Sequence, residues 1–153
     1  MKIVDTVFTH DNVIIVTIDK LPNEKDTLAK VFDVITQHKM NIDMISCLHS
    51  CKRELCISFS TYKGEIDSLI KAIKTLKTIY NGAVTHICGA NTKIVLRGKM
   101  ESERGIAAQV FKVLGENGVE IRLITTSINE ISLVVAEGDE DTALSALCRE
   151  FDG

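Results

Sequence analysis

The chain has 153 residues, enough for one ordinary domain or two small ones sharing a sheet. With 45% apolar and 25% charged residues, a single proline and no low-complexity tract, it reads as globular throughout, with no disordered linker. A net charge of −3 argues against nucleic acid as a partner, and no stretch approaches the roughly 18 apolar residues of a membrane span.

The N-terminus, MKIVDTVFTHD, is broken by Asp5 and His10 and does not read as a signal peptide. Residues 12–18 (NVIIVTI) are dense in β-branched side chains, as in a largely buried strand. Residues 27–38 place Leu28, Val31, Phe32 and Ile35 on one helical face. Residues 41–49 and 53–61 predict two strands joined by Ser50-Cys51-Lys52. Residues 65–79 are helical by the spacing of Ile66, Leu69, Ile70, Ile73 and Leu76, and residues 83–89 predict a fourth strand. The pattern then restarts. A strand over 92–97 leads to a helix over 105–117 that carries Ile106, Val110, Phe111 and Leu114, with Gly118 as its C-cap. Strands over 119–127 and 130–136 follow. A last helix over 139–150 carries Ala143, Leu144, Leu147 and Cys148.

The two halves align. TLAKVFDVITQHKMNIDMIS from Thr27 and IAAQVFKVLGENGVEIRLIT from Ile106 share Ala29/Ala108, Val31/Val110, Phe32/Phe111, Val34/Val113, Ile42/Ile121 and Ile45/Ile124 at one constant offset. Identity across helix, turn and strand points to duplication of one βαββαβ unit. The second copy ends after its second helix and lacks a fourth strand. Val4 and Val7 match Val84 and Ile87, so residues 2–9 are expected to supply it. The expected fold is α+β: two ferredoxin-like units, each an antiparallel four-stranded sheet with helices on one face. The first covers residues 10–90, and the second covers residues 91–153 plus 2–9.

The string LITTS (Leu123–Ser127) with the strand Ile131–Val135, and the ending LCREF (Leu147–Phe151), resemble the second ACT domain of aspartokinases. NIDMIS (Asn41–Ser46) with Cys56-Ile57-Ser58-Phe59 resembles the first. The resemblance covers nearly the whole chain. It implies an amino-acid-sensing regulatory pair that acts in feedback inhibition of lysine, threonine or methionine synthesis. It also implies a homodimer, joined by sheet edges or helix faces, and a kinase subunit or domain as partner. There is no glycine-rich phosphate loop and no room for an amino-acid-kinase domain. The expectation is therefore a stand-alone pair, a separate subunit or an excised fragment, not an enzyme on its own and with no cofactor.

In the family an amino-acid effector sits at an interface between ACT units. Its carboxylate suits backbone N–H groups at a helix N-terminus, and its ammonium needs carbonyls or a carboxylate. The loop-to-helix turn and the start of the next strand are expected to lie close together and offer both. In the second copy the candidates are Met100, Ser102, Glu103, Gly105 and Ile106 on the turn, Glu120, Ile121 and Arg122 at the strand, with Thr126 and Ser127 beyond. Gly105 would let a carboxylate approach the backbone. In the first copy they are Asn23 and Asp26, then Asn41, Ile42 and Asp43. There the family's Asp-Lys-Pro-Gly turn has become Asn-Glu-Lys-Asp, and Asp26 is expected to cap the helix but repel a carboxylate. Cys47 replaces the family's Gln. Arg122 stands where lysine-sensing relatives can carry an acid, so it counts against lysine in that copy. Lysine and threonine are the first candidates as ligand.

Other readings carry less. Cys47, His49 and Cys51 alternate along one strand with Cys56 nearby, but no paired C-x-x-C knuckle marks a metal site. Five cysteines, an odd number without an export signal, fit reduced thiols and a cytoplasmic location. RNA recognition on this fold needs exposed aromatics on the central strands, and the strand Arg53–Phe59 has one. His10, His38, His49 and His86 are scattered, and no Gly-x-Ser-x-Gly elbow surrounds Ser127. The alternative to sensing is a structural ACT pair that has lost its effector and serves only to dimerise.

Overall fold

The computed structural model describes residues 3–49, 53–102 and 104–152. Along the chain run β1 (Val4–Pro22), α1 (Thr27–Gln37), β2 (Ile45–His49), β3 (Glu54–Tyr62), α2 (Ile66–Ile79), β4 (Val84–Gly98), α3 (Ile106–Glu116), β5 (Leu123–Thr126), β6 (Glu130–Ala136) and α4 (Glu140–Asp152). The chain divides into two compact units, one of residues Ile14–Gly89, the other of Met1–Val13 with Ala90–Gly153.

In the first unit the strand order is β2-β3-β1-β4, with β2 antiparallel to β3 in the register Ile45↔Phe59 to His49↔Leu55. Alternate residues face the helices, as the two-residue period of a strand requires. Ile14, Val16 and Ile18 of β1 and Leu55, Ile57 and Phe59 of β3 pack against Val31, Val34 and Ile35 of α1 and Leu69, Ala72 and Leu76 of α2. Phe59 is 1% exposed, so the one aromatic of Arg53–Phe59 is core and offers no base a stacking face.

The second unit repeats the order as β5-β6-β4-β1, with Asn91↔Ala136 to Arg97↔Glu130 and Leu123↔Val134 to Thr126↔Ile131, all antiparallel. Its fourth strand is the N-terminal part of β1. Val4 is buried with Ile94, Leu96, Ile106, Val110, Leu114, Leu133 and Leu147. Both units are thus βαββαβ, and the second is closed by residues from the other end of the chain. The matched valines are not equivalent in burial. Val4 is 2% exposed, whereas Val84 and Ile87 are 37% and 48% exposed, because the first unit's core draws on Ala83 and not on the strand that follows it.

Two expected breaks are absent. Residues 2–9 and 12–18 read as separate segments, and so did 83–89 and 92–97, yet β1 and β4 are each continuous. Asn12 (φ 59°) and Ala90 (φ 56°) take left-handed backbone within these strands, and pairing resumes on the far side. A polar Asn and the Gly89-Ala90-Asn91 string look like turns, but a single left-handed residue kinks a strand without ending it. Conversely, 41–44 and 119–122 are not strand. Near the first of these, side chains take over backbone groups: the Thr61 hydroxyl donates to the Asn41 carbonyl (2.7 Å), and the Met44 N–H donates to the Ser60 hydroxyl (3.0 Å).

The duplication extends to the helix ends. After α3, Gly118 (φ 70°) donates to the Gly115 carbonyl (3.1 Å) and Val119 to the Leu114 carbonyl (2.9 Å), the paired bonds of a Schellman motif. After α1, Lys39 (φ 56°) donates to Thr36 (2.9 Å) and Met40 to Ile35 (3.4 Å). The motif survives with a lysine where glycine is unstrained. A left-handed conformation costs an L-residue roughly 1–2 kcal/mol, part of which glycine's unfolded-state entropy offsets. Lys39→Gly should therefore raise stability by up to about 1 kcal/mol, and Gly118→Ala lower it by about 1 kcal/mol, read from urea midpoints. A loss on Lys39→Gly as large as on Gly118→Ala would contradict this account.

Candidate effector site

The turn into α3 is anchored and then left open. Met100 is buried in the core and begins a 3-10 turn over Met100–Ser102. Ser102 closes that turn on itself, donating to the Lys99 carbonyl from both its N–H (3.0 Å) and its hydroxyl (2.6 Å). Gly105 has φ 85° and holds the N-cap position, with its carbonyl accepting the Gln109 N–H at 3.0 Å. Ile106 is 4% exposed and fixes the helix start to the core. The N-cap residue of α3 is a glycine and makes no side-chain capping bond, so first-turn N–H groups at this helix start are of the kind that can receive an anion. Glu103 lies outside the described residues.

Thr126 and Ser127 are at this same end. Gly98, just before the turn, donates its N–H to the Asn129 carbonyl (3.0 Å) in the β5–β6 turn. Ser127 donates its N–H to the Glu130 carbonyl (2.8 Å) and its hydroxyl to Asn129 Oδ1 (3.0 Å), while Thr126 is exposed.

Glu120, Ile121 and Arg122 are at the opposite end. The Arg122 N–H donates to the Val134 carbonyl (2.8 Å), and its guanidinium to Asn91 Oδ1 (2.6 Å) at the start of the second unit's part of β4. Asn91 is fully buried and also donates from Nδ2 to the Val13 carbonyl (3.3 Å). The whole length of α3, 11 residues or roughly 16 Å, separates Arg122 from Gly105. The expectation that the turn and the start of the next strand share one cup within a copy is therefore corrected. α3 runs back along the sheet, so its N-terminus meets the end of β5 and its C-terminus the start.

The first unit is divided in the same way. Asn23 donates its N–H to the Arg53 carbonyl (2.9 Å) at the β2–β3 end. Asp26 occupies the N-cap position of α1 but makes no capping bond. Its carboxylate pairs with Lys30 one turn on (2.9 Å), whose hydrogen bond holds the carboxyl below its usual range. The buried Thr27 closes the turn instead, its hydroxyl donating to the Pro22 carbonyl at 2.7 Å. Asn41, Ile42 and Asp43 are at the far end, where Asp43 donates its N–H to the Ser60 carbonyl (2.9 Å) and accepts the Tyr62 hydroxyl on Oδ2 (3.0 Å). Ile42 is half-buried against the core.

Tyr62, Asn91 and Lys30 were not among the expected site residues. Tyr62 and Asn91 follow from strand register, which a single sequence does not display. Lys30 follows from the i,i+4 spacing to Asp26, a signal that was present. The cysteine cluster does not form either. Cys47 pairs with Ile57 and Cys56 with Leu48, so adjacent registers send the two thiols to opposite faces. Among the described residues no three His, Cys, Asp or Glu side chains could hold a metal, and Cys51 lies outside them.

Burial, then the Asp43 charge and its hydrogen bond, push the Tyr62 phenol up to about 12. Folding thus disfavours the phenolate, so this group's contribution is complete below about pH 10 and lost as pH rises toward 12. In a phenolate absorbance titration of the folded protein, a late phase should appear, vanish in Tyr62→Phe and move to lower pH in Asp43→Asn. A late phase that persists in Tyr62→Phe would contradict the assignment.

The ACT domain family model matches residues 94–151. An aspartokinase of Bacillus sp. (strain MGA3) is 29% identical over 145 residues, which cover 94% of this chain and 35% of that protein. The chain thus spans about a third of that relative's length. Among solved structures, the ligand-free regulatory subunit of aspartate kinase from Thermus thermophilus superposes with a TM-score of 0.89 at 20% identity, covering 98% of this chain and 99% of that one. A chain from the crystal structure of aspartokinase alpha and beta subunits gives 0.87 at 20% identity, with coverage of 98% and 99%. At these identities the structural likeness speaks for the fold. Among the described residues no helix is long and apolar enough to cross a membrane. Residues 94–151 thus match the ACT domain model, and nearly the whole chain resembles part of the aspartokinases in sequence and shares the fold of an aspartate kinase regulatory subunit.

Proposed function

We propose that this chain senses a small amino acid and regulates an aspartate kinase, present as a separate subunit or as a further domain. The observation that carries the reading is the start of α3. An exposed left-handed glycine opens an uncapped helix, with Ser102, Thr126 and Ser127 at the same end of the unit. A carboxylate placed there would meet free N–H groups and the positive end of the helix dipole, with no Cβ at residue 105 in its way.

The groups suited to the rest of a zwitterion sit at the other end of each unit. Asp43 offers a carboxylate for an ammonium, while Arg122 offers a cation. A complete cup would therefore draw its second half from a second copy of this chain, which is why a homodimer belongs to the reading. Beside Asp43 a lysine side chain or an α-ammonium is favoured. Beside Arg122 a neutral side chain such as threonine is favoured over lysine. The first unit's turn, where Asp26 and Lys30 neutralise each other and glycine is lost, is the weaker carboxylate seat. Work in the cytoplasm, in feedback inhibition of lysine, threonine or methionine synthesis, completes the proposal.

The test is thermal unfolding of the purified chain against each of the twenty amino acids, with light scattering alongside. A ligand at 100 times its Kd should stabilise the protein by about 2.7 kcal/mol. Gly105→Ala should weaken binding by roughly tenfold or more, since a methyl group at left-handed backbone both strains the turn and crowds the carboxylate. A flat response to all twenty, with dimer formation intact, would replace this reading by an ACT pair that only dimerises.

A further inference from the structure

We propose that the N-terminal strand is a mechanical joint of the second unit: through Ile3, the start of β1 holds the turn 99–105 in place, so a displacement of the chain at Ile3 is passed to Gly105. Two consecutive N–H groups leave the end of β4 in different directions. Gly98 donates to Asn129 in the β5–β6 turn (3.0 Å), and Lys99 donates to the Ile3 carbonyl (2.8 Å). The Ile3 backbone lies so close to Gly98 that a Cβ there would collide with the Ile3 carbonyl. Gly98 is therefore a contact glycine, required by this approach.

Burial locks the same joint. Val4, the next residue of the strand, shares one core cluster with Met100 of the turn and Ile106 at the helix start. A one-residue slip of the strand would turn Val4 out of that cluster. Farther along, Phe8 lies under the Arg97 guanidinium, 4.9 Å from the ring centroid, and Arg97 Nε pairs with Glu130 at 2.7 Å. By contrast, the hydrogen bonds of Ser102 and Gly105 close within the turn and the first turn of α3. Among the described residues, the Ile3 carbonyl and the burial of Met100 and Ile106 anchor the turn.

Among the described residues the first unit shows no such tie. Lys20 is the equivalent of Lys99 at the offset of the repeat, and its N–H donates to the Asp19 carboxylate (2.8 Å). In the second unit Lys99 ties the turn to the N-terminal part of β1. The joint is a property of the free protein. Its use in regulation rests on the proposed function, because whatever moves Ile3 would bias the effector turn, and an effector there would act on Ile3 to the same degree.

Hydrogen exchange of the full, ligand-free chain tests the joint. In Gly98→Ala the displaced strand should release both segments together, raising exchange by roughly tenfold or more over Val4–Phe8 and over 99–105, with Leu55–Thr61 unchanged. Faster exchange in the strand with the turn unaffected would overturn the proposal. Should this variant fail to fold, the native chain in rising denaturant decides: the Lys99 amide and those of Val4–Phe8 must open as one cooperative unit, and separate openings refute the joint. An absence of any amino-acid response would remove the proposed function and leave this result standing.

Discussion

A helix that follows a strand and packs on the same sheet must run back along it. That constraint governs the rest of this molecule. It places the start of α3 beside the end of β5 and the start of β5 some 16 Å away, by the length of the helix. The same holds for α1 and β2. Each unit therefore has a turn end, where the chain enters the helix, and a far end, where Asp43 stands in one unit and Arg122 in the other.

The interlocked topology follows from a second constraint, the need for a fourth strand. In the second copy its place lies beside β4. The start of β1 fills the place, and Val4 enters the core at 2% exposure. β1 and β4 each serve both units, and each carries a left-handed residue near the division between units, Asn12 and Ala90; β1 carries a second, Lys20 (φ 58°), near its end. Asn tolerates that conformation better than most residues. Ala does not, and Ala90 is held there by the pairing on both sides.

The duplicated unit and its element types were legible from one sequence because they rest on apolar periodicity, which the repeat reinforces. The borrowed strand was legible from the missing element. Continuity of β1 and β4 was not, since Gly89-Ala90-Asn91 has the composition of a turn and nothing local says that pairing resumes. The site was half legible. Gly105 announces a left-handed position, and Asp43 a carboxylate. That the turn into a helix and the start of the strand after it lie at opposite ends of each unit is a matter of helix direction and could have been derived. That Arg122 rests on Asn91, and Tyr62 on Asp43, depends on register and could not. The Asp26 side chain misled for a reason visible in the sequence: Lys30, four residues on, competes for the carboxylate that would otherwise cap α1.

The two copies have kept and lost different things. At the helix C-termini both retain the same pair of bonds, even though Lys39 has replaced glycine, because those bonds settle the orphan carbonyls of the last turn and bury Met40 and Val119 at 6% each. At the helix N-termini the copies diverge: an exposed left-handed glycine precedes α3 and Asp26, paired with Lys30, precedes α1, while neither N-cap residue makes a side-chain capping bond. Closing a helix C-terminus serves folding, and a lost glycine there costs about 1 kcal/mol, which a core can absorb. Opening a helix N-terminus does not serve folding at all. It leaves donors unsatisfied except by solvent or ligand, and Gly105 adds conformational entropy to the unfolded chain. The two N-termini thus differ in backbone freedom and local charge and not in capping, and Gly105, which folding does not favour, is where a function separate from stability has to be sought.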